Sequence, residues 1–417
     1  MKTALSILCA GALLAGCAGK QEASAETAAP ISAAPLSAVV TTADTSSDGL
    51  LDAGDFFTDR DLAQTADTEN AVRYTLKDGQ QLEITEEGVY VLTGTAKNAT
   101  ITVAADKEAK VQLVLEGLTV TNDDFPCIYV KSGDKVFVTT AADSALSVTG
   151  SFRADGDTNT DGVIFSRSDL VLNGTAALTI SSTKNGVVCK DDLKLTGGSC
   201  TVTAAKKALE ANDSIRAAGG SYVLNAGTDA LHAENEDDDT LGFIYICGGS
   251  FTIVSGDDGV HGVSAVQIDG GTLDITAAEG IEAARIQLNG GEIAITASDD
   301  GINGAQKSDA YRPLVDITGG EITIAMGAGD TDGVDCNGDL SISGGTVDVT
   351  GSSAFDIDGT VSFTGGTVII NGQTVSTIPT QMMGGKGGMG RPGDWGGSGD
   401  PGSFGDPGGF GGKGRRW

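Results

Sequence analysis

Acidic side chains recur along this chain directly before a small residue and a branched apolar one. The series runs Asp161-Gly162-Val163, Asn185-Gly186-Val187, Lys207-Ala208-Leu209, Asp229-Ala230-Leu231 and Asp258-Gly259-Val260. It continues through Glu279-Gly280-Ile281, Asp300-Gly301-Ile302, Asp332-Gly333-Val334 and Ser353-Ala354-Phe355. With the Gly or Ala as position zero, position plus one is always apolar and position plus three is mostly small or apolar, so both read as core-facing. The position between them must face outward. It reads Ile164, Val188, Glu210, His232, His261, Glu282, Asn303, Asp335 and Asp356. Asp257, Asp299 and Asp330 add to the acidic edge beside their neighbours Asp258, Asp300 and Asp332.

Stacked at the strand spacing of about 4.8 Å, two such carboxylates repel by about 3.5 kcal/mol at an effective dielectric of about 20. A calcium ion relieves this naturally, because its oxygen ligands sit about 2.4 Å away and one ion can touch two stacked carboxylates. We therefore expect calcium at Glu210, Asp229, Asp257, Asp258, Glu279, Glu282, Asp299, Asp300, Asn303, Asp330, Asp332, Asp335 and Asp356. A separate candidate is Asp155, Asp157, Asn159 and Asp161, whose spacing matches the start of a calcium loop. Ser168 stands where an EF-hand would place its bidentate acid, so a helix-flanked EF-hand is excluded.

Basic residues near this column are few. Lys190, Arg216 and Arg285 are candidates for contact with a substrate, and so are His232 and His261, which occupy one column in successive repeats. The two histidines could bind a transition metal, but two ligands are few. No serine–histidine–acid or cysteine–histidine arrangement stands out.

The elements that must position these residues are short strands. Gly-Gly pairs recur at 197–198, 219–220, 248–249, 270–271, 290–291, 319–320, 344–345 and 365–366. Most lead into alternating runs such as Thr272–Thr276 and Glu292–Thr296, with Leu273 and Ile275 inward and Asp274 outward. Two markers keeping step at roughly 20–30 residues, with no helical pattern between them, indicate a solenoid. The expected fold is an all-β, right-handed parallel β-helix over residues 70–380. Loop insertions are expected at 234–240 and 306–312. Upstream, Thr100–Val103, Val111–Leu115 and Lys135–Thr139 read as strands of the first coils, and Glu116-Gly117 as a turn.

The 417 residues carry 57 Asp or Glu against 26 Lys or Arg, a net charge of −31, which disfavours nucleic acid and anionic membrane surfaces as partners. A short basic start, an apolar stretch and Leu14-Ala15-Gly16-Cys17 read as a bacterial lipoprotein signal over residues 1–16, with the lipid on Cys17. That places the protein in the cell envelope as an exported monomer, touching membrane only through its lipid. Residues 17–69 form a tether and lead-in, flexible over Ala18–Ser47, and the Gly-rich segment 381–417 reads as disordered. Cys127, Cys189, Cys200, Cys247 and Cys336 are odd in number and irregularly spaced, so they read as small buried hydrophobes and not as a disulfide framework.

Phe57–Leu62, Glu87–Gly94, Val111–Gly117, Ile128–Ser132, the Asp-Gly coils and the tail at Gly388–Gly393 carry a resemblance. The chain resembles exported bacterial carbohydrate-binding β-helix proteins first characterised in cellulolytic clostridia. That resemblance implies a pectate-lyase-like fold, bound calcium, and binding of acidic plant polysaccharide such as polygalacturonate, and also of cellulose. The expected function is binding of uronate-rich polysaccharide, with calcium bridging protein and sugar carboxylates. Scarce aromatics, with both Trp in the tail, argue against a flat cellulose platform. The alternatives are a calcium-dependent polysaccharide lyase, which needs a basic residue of lowered pKa, and a calcium-stiffened adhesin or stalk.

Overall fold

The computed structural model describes residues 50–327 and 331–379. The segments expected to be signal and tether, with Cys17, Asp330 and the Gly-rich segment 381–417, lie outside these residues.

Alternation of apolar and polar residues produces strands, and parallel stacking of those strands produces the architecture. The thirty-four strands of the described residues join in parallel pairs, except for a closing antiparallel hairpin between Thr367–Ile370 and Gln373–Val375. The chain is a parallel β-helix with three ladders, here called sheets A, B and C. A single coil shows the order: Asn185–Cys189 lies in sheet A, Asp192–Leu195 in B and Ser199–Ala204 in C. Each strand pairs with its equivalent one coil later. Some strands bend from one sheet into the next, as Asp258–Ile268 and Glu279–Leu288 do between A and B.

The core is one apolar column running the length of the solenoid. In Thr272–Ala277, Leu273 and Ile275 are buried and Asp274 is exposed, the alternation a sheet with one wet face requires. The Gly-Gly corner ahead of Glu292–Ala297 needs its two glycines for different reasons. Gly291 has φ +89°, a left-handed conformation that only glycine adopts freely, whereas a Cβ on Gly290 would come within 2.4 Å of the Asp269 carbonyl oxygen of the coil before. Cys127, Cys189, Cys200 and Cys336 are buried, and Cys247 is half-buried; all five are free thiols.

Two local expectations change. Glu116-Gly117 is not a turn between strands; it is a bulge within the continuous strand Lys110–Asn122, where the register shifts after Leu115. The first Asp-Gly marker is also out of step by one residue. Asn185 pairs with Gly162 and Val188 with Phe165, so Phe165 stands in the outward column and Ile164 turns into the core.

Residues 50–64 lie along the outer face of sheet B. Leu50 and Leu51 N–H donate to Gln287 Oε1 and Gln267 Oε1. Phe56 stacks on Phe243 at 5.6 Å and meets the edge of Tyr245 at 5.1 Å. A one-turn helix, Asp59–Leu62, follows, closed by a capping box between Thr58 and Asp61. Asp61 is fully buried between Lys135 Nζ at 3.2 Å and Lys194 Nζ at 3.3 Å. This strap therefore crosses the sheet B rungs from Gln287 back to Lys135.

Candidate functional site

The outward face of sheet A gathers most of the residues singled out above. Register pairs link Tyr129 to Phe165, Phe165 to Val188, and Val188 to Glu210. They continue through His232, His261, Glu282, Asn303, Asp335 and Asp356. The column thus changes character along the axis. Tyr129, Phe165 and Val188 pack with Phe125 as an apolar cluster outside the core, so Val188 faces outward but is covered. From Glu210 onward every rung is polar.

Each polar rung has its own electrostatic settlement. Glu210 accepts from Asn185 Nδ2 at 3.0 Å and pairs with Lys190 Nζ at 3.3 Å. His232 Nδ1 lies 2.8 Å from Asp229 Oδ2, and its Nε2 lies 3.1 Å from Glu234 Oε2. Burial alone would lower the His232 pKa, but the Asp229 and Glu234 carboxylates outweigh it and raise it. Burial likewise pushes the Asp229 carboxyl upward, and His232 more than reverses this. The His232 and His261 rings are 4.8 Å apart. His261 Nδ1 contacts Asp258 Oδ2 and lies 3.0 Å from Glu282 Oε2. Glu282 is further neutralised by Lys307 Nζ at 2.7 Å.

Beyond Glu282 the described residues crowd carboxylates together around Asp300 and Asp335. Glu279 accepts from Asn303 Nδ2 at 2.9 Å. Burial and the nearby Glu282, Asp258 and Asp300 nevertheless push its carboxyl up to about 8. Burial, with Asp335, Asp299 and Asp332 close by, raises Asp300 to about 7. Burial, with Asp356, Asp332 and Asp358, raises Asp335 to about 6. Asn303 Oδ1 and Asp332 Oδ1 are buried acceptors with no hydrogen-bond partner, which is costly unless something else satisfies them. Two unsatisfied acceptors among crowded carboxylates suit a hard cation that takes oxygen ligands. Asp257 and Asp299 are exposed beside this edge.

Two adjoining clefts run along the same face. One, of about 380 Å³, is lined by Asp157, Asn159, Phe165, Arg167, Lys190 and Glu210, among others. The next, of about 260 Å³, shares Lys190, Glu210 and Asn212 and continues to His232, Glu234 and Asp237. The insertions at 234–240 and 306–312 touch across three coils, where Ser308 Oγ donates to the Asp239 carbonyl at 2.7 Å.

A sequence profile of the carbohydrate-binding domain-containing protein family matches residues 78–333. The chain belongs to this carbohydrate-binding family. A carbohydrate-binding domain-containing protein of Acetivibrio thermocellus is 40% identical over 202 residues, covering 47% of this chain and 71% of that relative. A solved structure titled as the polysaccharide lyase-like protein from C. thermocellum, a gadolinium derivative, aligns with TM-score 0.49 and 27% identity over 52% of this chain and 96% of its own. The family match spans sheet A from its first rungs to Gly333. Asp335 and Asp356 lie beyond it, as does the strap before residue 78.

Within this family member, several candidates sit apart from the column. Arg216 belongs to sheet B; its guanidinium is 2.8 Å from Asp192 and 4.4 Å from the Phe56 ring, so it holds the strap and is removed from the substrate contacts. Arg285 lies in the sheet B register between Ala265 and Leu314. The loop expected to bind calcium is tied down by the protein's own cations. Asp155 lies 3.0 Å from Lys131, which with the Tyr129 hydroxyl lowers its pKa, and Asp161 lies 2.8 Å from Lys184. Sequence reasoning passed over Phe165, Arg167, Glu234 and Lys307. Phe165 was hidden by the one-residue register shift. Glu234 and Lys307 lie in the insertions, whose lengths were legible but whose contacts were not.

Proposed function

We propose that the outward face of sheet A binds uronate-rich polysaccharide such as polygalacturonate, and that calcium bridges its acidic end to sugar carboxylates. The observation that carries this reading is the pair of buried, unpartnered acceptors, Asn303 Oδ1 and Asp332 Oδ1, set beside the crowded carboxylates of Asp300 and Asp335. Asp300, Asn303, Asp332 and Asp335, with Glu279 and Asp356 on the flanking rungs, would hold the ion. Calcium bound there would supply the positive charge that a uronate carboxylate needs on so acidic a protein. The clefts add Arg167 and Lys190 for further sugar carboxylates, with the Phe165 ring beside them. Lipidation at Cys17 would display this face from the cell envelope.

A lyase would need a base of lowered pKa beside the bound uronate. Lys194 has a lowered pKa, through burial and the nearby Lys135, but it is sealed under the strap on sheet B. The sheet A geometry therefore favours binding.

Native affinity electrophoresis with polygalacturonate in the gel, run in calcium and then in chelator, tests the reading. Retardation in calcium that chelator abolishes is expected, without formation of unsaturated product. Equal mobility in all lanes overturns it.

A further inference from the structure

We propose that Asp229, His232 and His261 form a binding site for a divalent transition-metal ion of the zinc class, separate from the calcium edge. One donor atom from each of these residues lies within 4.8 Å of the others. A tetrahedral site with bonds of 2.0–2.1 Å has ligand separations of about 3.3 Å, so closure asks only for small side-chain shifts.

The state of each ring nitrogen argues for this assignment. A metal-binding imidazole generally gives its second nitrogen to a carboxylate, which fixes the tautomer and aims the ligating nitrogen. Both histidines are arranged in this way. His232 Nε2 is held by Glu234 at 3.1 Å. That leaves Nδ1, which is buried, has no aligned hydrogen-bond partner and lies 2.8 Å from Asp229 Oδ2. His261 Nδ1 is held by Asp258 and Glu282, so in the proposed site Nε2 would be its ligating nitrogen. The His232 side chain is 8% exposed, so its orientation is set by packing.

Donor chemistry separates this site from the calcium edge. Imidazole nitrogen suits zinc, copper and nickel, whereas calcium takes oxygen. The three ligands leave a fourth position, and His232 lines the 260 Å³ cleft, so that position can accept water or a sugar oxygen. The inference depends on neither the polysaccharide nor the calcium edge.

Titration of the full-length chain with Co²⁺, followed by visible absorption, tests it. One equivalent is expected to give a tetrahedral ligand-field spectrum that Zn²⁺ abolishes and a hundredfold excess of Ca²⁺ leaves intact. His261→Ala should lose the spectrum. Because His261 also anchors Asp258 and Glu282, His232→Gln serves as a second variant, with folding of both checked by circular dichroism. Asp335→Asn, on the calcium edge, should keep the spectrum. Absence of any spectrum, its displacement by Ca²⁺, or its survival in both folded histidine variants overturns the proposal.

Discussion

Sheets A and B both carry buried charge on their outer faces and neutralise it differently. On sheet B the strap brings Asp61 between Lys135 and Lys194, with Thr58 donating to its other needs, so a buried carboxylate meets cations supplied by the chain itself. On sheet A the column is neutralised by Lys190, His232, His261 and Lys307 over its middle rungs, whereas among the described residues no ion pair is seen at Asp300 or Asp335. A solenoid repeats its geometry from coil to coil, so this contrast arises from side chains and not from the backbone. Sheet B is closed by an internal partner, and in the function proposed above the far end of sheet A accepts an external one.

The largest expected effect breaks the closed side. Asp61→Ala would leave the buried Lys194 ammonium without its ion pair and Lys135 with only the Asp169 carboxylate at 3.6 Å, and should destabilise the chain by about 3–5 kcal/mol in denaturant unfolding. The same contact has a defined pH signature. Burial tends to raise the Asp61 carboxyl, but the Thr58 backbone, Lys194 and Lys135 together hold it below its usual value. A depressed folded pKa means that its stabilisation is complete above the usual carboxylate range and is lost as pH falls through the folded value. Unfolding followed from pH 6 downward should therefore show an acid-side loss that Asp61→Ala flattens.

The next effect concerns the open side. Calcium at a hundred times its dissociation constant should stabilise the chain by about 2.7 kcal/mol, seen as a rise in unfolding midpoint. The combined Asp332→Asn and Asp335→Asn variant should lose most of that rise while its calcium-free stability holds or improves, since two repelling charges are removed. An equal calcium response in the variant would place the ion elsewhere.

The smallest effect sits where the two behaviours meet. Lys190 is partly exposed beside Glu210, so Lys190→Ala should change stability by no more than about 1 kcal/mol. If Lys190 serves the glycan, the same variant should weaken polygalacturonate retardation several-fold. A loss of stability without a loss of retardation would return Lys190 to a purely local ion pair.

The β-helix was legible because its coils repeat. Gly290-Gly291 and its equivalents mark corners, runs such as Thr272–Thr276 show their inward face, and equal spacing stacks like positions into columns. Register along sheet A from Glu210 to Asp356 follows from that arithmetic alone. It failed at Phe165, where the first Asp-Gly marker is one residue out of step and no local feature announces it. The strap was illegible for another reason: Asp61 meets Lys135 and Lys194 across 74 and 133 residues, with no periodicity linking them.

The amino-acid sequence by itself determined the solenoid, the acidic column and the column's order, because these follow from local pattern and repetition. Only the tertiary structure decided which charges are neutralised. It assigned Arg216 to the strap, brought Lys307 from an insertion onto Glu282, and set carboxylates beside both nitrogens of His232 and beside Nδ1 of His261. Those outcomes depend on the reach of long side chains across coils and on contacts between insertions, which spacing along the chain does not encode.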